Sequence, residues 1–124
     1  HKIGKSELLG FYQKLAKACR QALLALNLQI LDESMASNTL SVAILPKGID
    51  GKVLIRNLNK KYNATYAGGQ DQLQGKIIRI AHIGFVDPFD ILAAVSALEL
   101  ELAFMGHKAE KSAASTFSNA FFAR

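Results

Sequence analysis

The chain has 124 residues, half of them hydrophobic and a fifth charged, with a formal net charge of +5. That length suits one domain able to bury roughly two thirds of its unfolded surface; the composition excludes a disordered polymer, and no apolar run approaches the roughly 18 residues of a membrane span. A soluble protein with no membrane partner is expected. Lysines and arginines are spread from Lys2 to Arg124 with no basic cluster interleaved with aromatics, so the charge reads as solvated surface and no nucleic acid is expected as a partner.

The chain opens on His1, for which a processed product, a tag remnant or a fragment would each account, and Lys2 to Lys5 is too short and polar for a signal peptide. From Leu8 to Leu26 the apolar residues Leu8, Phe11, Tyr12, Leu15, Cys19, Ala22, Leu23 and Leu26 recur at intervals of three and four, which predicts an amphipathic helix. Cys19, alone of its kind and inside that stripe, reads as a small buried hydrophobe, and the cytoplasm is the default compartment. Asn27 suits a left-handed exit. Leu28 to Leu31 reads as a short strand, Asp32 to Asn38 as a loop, and the alternating run from Leu40 to Leu45 as a strand stopped by Pro46 and Gly48.

Asp50 is placed as the N-cap of a second helix, whose stripe is Leu54, Ile55, Leu58 and Tyr62 and whose exit is Asn63. Ala64 to Ala67 reads as a short strand. Gly68 and Gly69 open a polar loop closed by Gly75, and Lys76 to Ile83 is strand-like up to Gly84. Asp87 caps a third helix with Pro88 at its first position and Asp90 in its first turn. Its stripe is Ile91, Leu92, Val95, Leu98, Leu102 and Met105, and Gly106 ends it. The order helix, strand, helix, strand, strand, helix predicts an α+β fold, a small and largely antiparallel sheet with helices packed on one face. Residues 1–106 form the predicted compact unit. The Ala- and Ser-rich stretch 107–124 reads as a tail outside it, in which Ala114, Phe117, Phe121 and Phe122 make a weak helical stripe that either docks or frays.

Few motifs carry chemistry. Gly69 to Lys76 has five residues between the glycine and the Gly-Lys pair where a phosphate-binding P-loop needs four, with Ile77 in place of Ser or Thr and a strand following. The stretch Gly48 to Gly51 matches the loop of RNA-binding KH domains, but it joins a strand to a helix instead of two helices. His1, His82 and His107 have no carboxylate or cysteine at ligand spacing, so no metal site is read, and Ser6, Cys19 and Ser41 lack the context of a nucleophile, so no catalytic residue is assigned. Arg79 is the exception. Alternation sets Ile78, Ile80 and His82 on one face of its strand and Ile77, Arg79 and Ala81 on the other, so a guanidinium emerges amid apolar neighbours. It either pairs with an internal acid such as Asp71 or Asp87, points to solvent, or holds a carboxylate from outside with its planar fork.

The succession LSVAILPKGIDG, a helix, KYNATYAGGQDQLQGKIIRIAHIG and VDPFDILAAVSALELEL, over about Leu8 to Gly106, resembles the small C-terminal domain of class V aminotransferases of the alanine–glyoxylate and serine–pyruvate kind. Similar chains carry the name of a cyanobacterial soluble hydrogenase small, or tritium-exchange, subunit. The resemblance implies a pyridoxal phosphate enzyme that passes an amino group from an amino acid to a 2-oxo acid, with Arg79 binding the substrate carboxylate and the loop at Gly68 and Gly69 near the active-site entrance. It further implies a homodimeric parent in which a large domain, absent from these residues, carries the cofactor's lysine, acid and phosphate groups. The chain alone is therefore expected to bind no cofactor and to be inactive. The alternative is a non-catalytic protein-interaction domain, the soluble-hydrogenase subunit role.

Overall fold

The computed structural model describes residues 5–31, 40–64, 66–81 and 87–123. The predicted loop 32–38, the end of the fourth strand with His82, and Gly84 lie outside the described residues.

Helix α1 spans Lys5–Ala25, three residues longer at its start than the apolar stripe predicts, and its face Leu15, Cys19, Ala22, Leu23 and Leu26 is buried. Asn27 follows at φ 62, the left-handed exit that asparagine tolerates. The strands are β1 (Gln29–Ile30), β2 (Leu40–Ile44), β3 (Ala67–Gly68) and β4 (Ile77–Ala81), in the spatial order β1-β2-β4-β3 with every pairing antiparallel. Helix α2 (Gly51–Tyr62) begins where Asp50 accepts a hydrogen bond from the Lys52 N–H at 2.9 Å and ends at Asn63, again left-handed at φ 55. Helix α3 (Pro88–Phe104) starts at the predicted cap, the Asp87 side chain accepting from Phe89 N–H at 2.8 Å, and Asp90, expected only as a first-turn charge, completes a capping box by reaching back to the Asp87 N–H at 3.2 Å.

The third strand lies further along than Ala64 to Ala67. Tyr66 is buried, its hydroxyl donating to the Ala94 carbonyl at 2.9 Å, and the pairing among the described residues begins at Ala67 opposite Arg79. The register fixes two faces. Ser41 opposite Ile80, and Ile30 and Ile78 opposite Ala43, turn inward, and all five are buried against the helices. Val42 opposite Arg79, and Arg79 opposite Ala67, turn outward on the face without helices. The result is an α+β domain with a four-stranded antiparallel sheet and helices on one face, as the element order predicts.

Residues 107–123 take the docked alternative. Helix α4 (Ala113–Phe122) packs on α1 and α3 with Ala113 and Phe117 fully buried. Its first turn is capped from another helix: Glu99 of α3 accepts from the Ala113 N–H at 2.8 Å and from the Ser112 hydroxyl at 3.3 Å. His107 adds a second tie, its Nε2 lying 2.7 Å from the Leu26 carbonyl at the end of α1.

Candidate functional site

The outward face of the sheet carries Arg79 in the row Val42, Arg79, Ala67. Antiparallel pairing puts Gly68 beside it, and the Arg79 Nε–H donates to the Gly68 carbonyl at 3.0 Å. This bond fixes the plane of the guanidinium. The two terminal nitrogens remain, a fork matched to the two oxygens of a carboxylate. Arg79 is half-buried, and among the described residues no carboxylate lies within 4.0 Å of it. Neither Asp71 nor Asp87 is its ion-pair partner, so of the readings left open by the sequence, pairing with one of those acids is not what the described residues adopt.

Gly69 begins the loop that borders this face. A Cβ at Gly69 would stand 2.5 Å from the Leu73 carbonyl oxygen and 2.8 Å from Ile77 Cγ1, so only glycine lets the loop fold back this closely. The loop passes through a single 3-10 turn, Asp71–Leu73, and closes at Gly75 with φ 78. Because it rests on Ile77, that residue is 4 % exposed although alternation turns it to the same outward face as Arg79. The outward row is thus walled at one end by the Gly69 loop, with Gly68 and Arg79 joined by a hydrogen bond beside it. The strand β4, not a helix, follows the loop, in agreement with the rejection of a P-loop.

The remaining polar side chains serve packing. Cys19 is buried, and that burial pushes its thiol up to about 12 against the opposing pull of a hydrogen bond with Ser41 and of the nearby Arg20 charge. A thiol so held is a poor nucleophile. Burial also raises the Tyr66 hydroxyl well above its ordinary value, with the neighbouring Cys19 adding to it. Glu101 is the buried acid that the sequence reading missed. It is 1 % exposed between α2 and α3, where it accepts from Asn57 Nδ2 at 2.9 Å and from Lys61 Nζ at 3.1 Å. Its place three residues after Leu98, on the same stripe, was the available signal. Among the described residues no three His, Cys, Asp or Glu side chains group as metal ligands, and no helix is long and apolar enough to cross a membrane. His1 and His82 lie outside the described residues.

Every lysine whose side chain is described is exposed, and the ion pair Lys61–Glu101 belongs to the helical layer, not to the Arg79 face.

No protein-family model matches the chain. It is 42% identical over 96 residues to the small subunit of a Synechococcus soluble hydrogenase, covering 77% of this chain and 25% of that protein. It is 36% identical over 102 residues to an uncharacterised aminotransferase of Methanocaldococcus jannaschii, covering 82% of this chain and 26% of that protein. Among solved structures, the ureidoglycine–glyoxylate aminotransferase of Bacillus subtilis shares the fold with a TM-score of 0.87 at 23% identity, covering 96% of this chain and 32% of that one. The chain thus spans about a quarter of the length of the curated relatives it matches. In sequence and in fold it belongs with the class V aminotransferases, corresponding to their small C-terminal domain, and the soluble hydrogenase subunits are sequence relatives of the same region.

Proposed function

We propose that the chain is the substrate-orienting part of a pyridoxal phosphate aminotransferase, with Arg79 holding the carboxylate of an amino acid or 2-oxo acid. The observation that carries this reading is the guanidinium itself: half-buried on the helix-free face, fixed through Nε by the Gly68 carbonyl, and without a carboxylate partner among the described residues. A two-pronged clamp on the substrate carboxylate removes rotational freedom about the bond to the reacting carbon, and such positioning accounts for a large share of catalysis in two-substrate chemistry. Pyridoxal phosphate supplies the electron sink when bound. Its lysine, acid and phosphate-binding groups belong, in this reading, to a large domain docked on the Arg79 face, within a cytoplasmic homodimer. Gly68 and Gly69 then border the entrance.

The test is Arg79→Ala in the natural protein with its cofactor-binding part. Losing two charge-assisted hydrogen bonds should raise KM for both amino donor and acceptor, lowering kcat/KM by roughly a hundredfold or more; unchanged kinetics sink the assignment. The isolated chain is expected to be inactive, and a borohydride-stable attachment of pyridoxal phosphate to one of its lysines would contradict that.

A second reading rests on the 42% identity to a soluble hydrogenase small subunit. Here the fold is kept and the same helix-free face binds another protein without catalysis. Because that relative is itself about four times the length of the matched stretch, activity and not length separates the two: amino transfer by the natural gene product loaded with pyridoxal phosphate supports the transferase, and a natural product without it that co-purifies with another protein supports the interaction domain.

A further inference from the structure

The turn between β2 and α2 holds the one Asp–Gly or Asn–Gly dipeptide of the sequence, Asp50–Gly51. Such a pair is open to rearrangement of its main chain. The amide nitrogen that follows an aspartate can attack the side-chain carboxyl carbon, and glycine, without a Cβ, leaves that nitrogen unshielded. Asp50 is exposed, so water has access to it.

The fold opposes this reaction. The attacking nitrogen is engaged, since the Gly51 N–H donates to the Gly75 carbonyl at 3.0 Å. The carboxyl group is engaged as well, Asp50 Oδ1 accepting from the Lys52 N–H at 2.9 Å. A ring can close only when the Cα–Cβ bond of Asp50 eclipses the bond to the Gly51 nitrogen, and the ψ of 111 at Asp50 turns the two far apart. Room for the rotation is lacking, because Gly51 lies against the end of the glycine loop: a Cβ there would stand 2.8 Å from the Gly75 carbonyl oxygen and 2.9 Å from Leu45 Cδ1.

From this we infer that Asp50–Gly51 is the isoaspartate-forming site of the chain, held shut by the α2 cap and by Gly75 and released when the start of α2 opens. In the step, the Gly51 nitrogen bonds to Asp50 Cγ, the amide proton and the carboxyl hydroxyl depart as water, and a succinimide ring forms. Water then adds back. Attack at Cγ restores aspartate; attack at the main-chain carbonyl leaves Gly51 joined through the side chain. That product has a longer main chain and a shorter capping carboxylate, so the bonds to Lys52 and Gly75 are both lost. The inference rests on the start of α2 and is independent of the role proposed for Arg79.

The test is the rate of isoaspartate formation in the 124-residue chain at neutral pH, in buffer and in urea, mapped by fragmentation mass spectrometry. In urea it should accumulate at Asp50 ahead of every other aspartate and asparagine. In buffer the rate should be roughly thirtyfold lower, because two hydrogen bonds of ordinary strength must open together. Gly75→Ala strains a residue at φ 78 without touching the dipeptide, so the folded variant should react faster than the parent in buffer and equally in urea. Asp50→Asn repeats the comparison with Gly75 intact: asparagine caps as well as aspartate and closes the same ring with loss of ammonia, so its rate should again be roughly thirtyfold lower in buffer than in urea. Equal rates in buffer and urea, for the parent or for Asp50→Asn, overturn the inference. So does isoaspartate that appears first at another residue, or a folded Gly75→Ala variant that reacts no faster than the parent.

Discussion

The Gly68 carbonyl decides what Arg79 can do. A free arginine samples many rotamers and pays about 2 kcal/mol of entropy to hold one. Here Nε is tied to the backbone at 3.0 Å, so part of that cost is met within the fold and the end-on fork stands ready. Gly69 secures the loop next to it. Replacing Gly69 by alanine should force the Leu73 carbonyl or Ile77 to move, costing about 1–3 kcal/mol of stability in a urea titration; an alanine variant as stable as the parent would show that the loop yields freely. Alternation along β4 was enough to set Arg79 on the outward face, but its bond to Gly68 was not legible, because it depends on which residue of a distant strand comes opposite. The same blind spot hid the burial of Ile77: strand period gives the face, and only the returning loop gives the cover.

At the scale of elements, local signals were the readable ones. The caps at Asp50 and Asp87 and the left-handed asparagines are each decided within four residues of sequence, and each is present. Helix α4 is the contrary case. Its stripe is weak, and its local cap, Ser112 accepting from the Ser115 N–H at 3.2 Å, is joined by Glu99, on another helix 14 residues upstream of Ala113. Glu99→Ala should therefore loosen α4 specifically, by about 1 kcal/mol, seen as faster amide exchange from Ala113 onward while the sheet is unaffected. Phe117→Ala reaches deeper, since the ring is fully buried between helices, and should cost about 3–5 kcal/mol in a thermal or denaturant melt. If Phe117→Ala were neutral, the packing of α4 on α1 would be wrong.

Across the whole molecule the sheet divides two economies. One face is closed by the helical layer, which holds Cys19, Tyr66 and Glu101 away from water; the other presents the oriented Arg79 guanidinium beside a glycine loop. The closed side makes stability depend on pH. The folded chain keeps the Cys19 proton up to about pH 12, whereas the unfolded chain begins to release it near 8.5, so this contribution is complete below the unfolded value and is lost progressively as pH rises between the two. The raised Tyr66 hydroxyl acts in the same direction from about pH 10 upward. Melting temperature should accordingly fall above about pH 8.5 and Cys19 should resist alkylation in the folded chain; a Cys19→Ser variant with an identical alkaline profile would assign the loss to Tyr66 or to other groups.

The open side bears the functional claim, that a fork of two nitrogens, not a mere positive charge, holds the substrate carboxylate. The most direct measurement is kcat/KM for the natural, cofactor-loaded protein carrying Arg79→Lys. Lysine keeps the charge but offers one point donor in place of two parallel hydrogen bonds and has no Nε to bind Gly68. A loss approaching that of Arg79→Ala, with KM raised for amino acid and 2-oxo acid alike, is the predicted result; parental kinetics in the lysine variant would contradict the account.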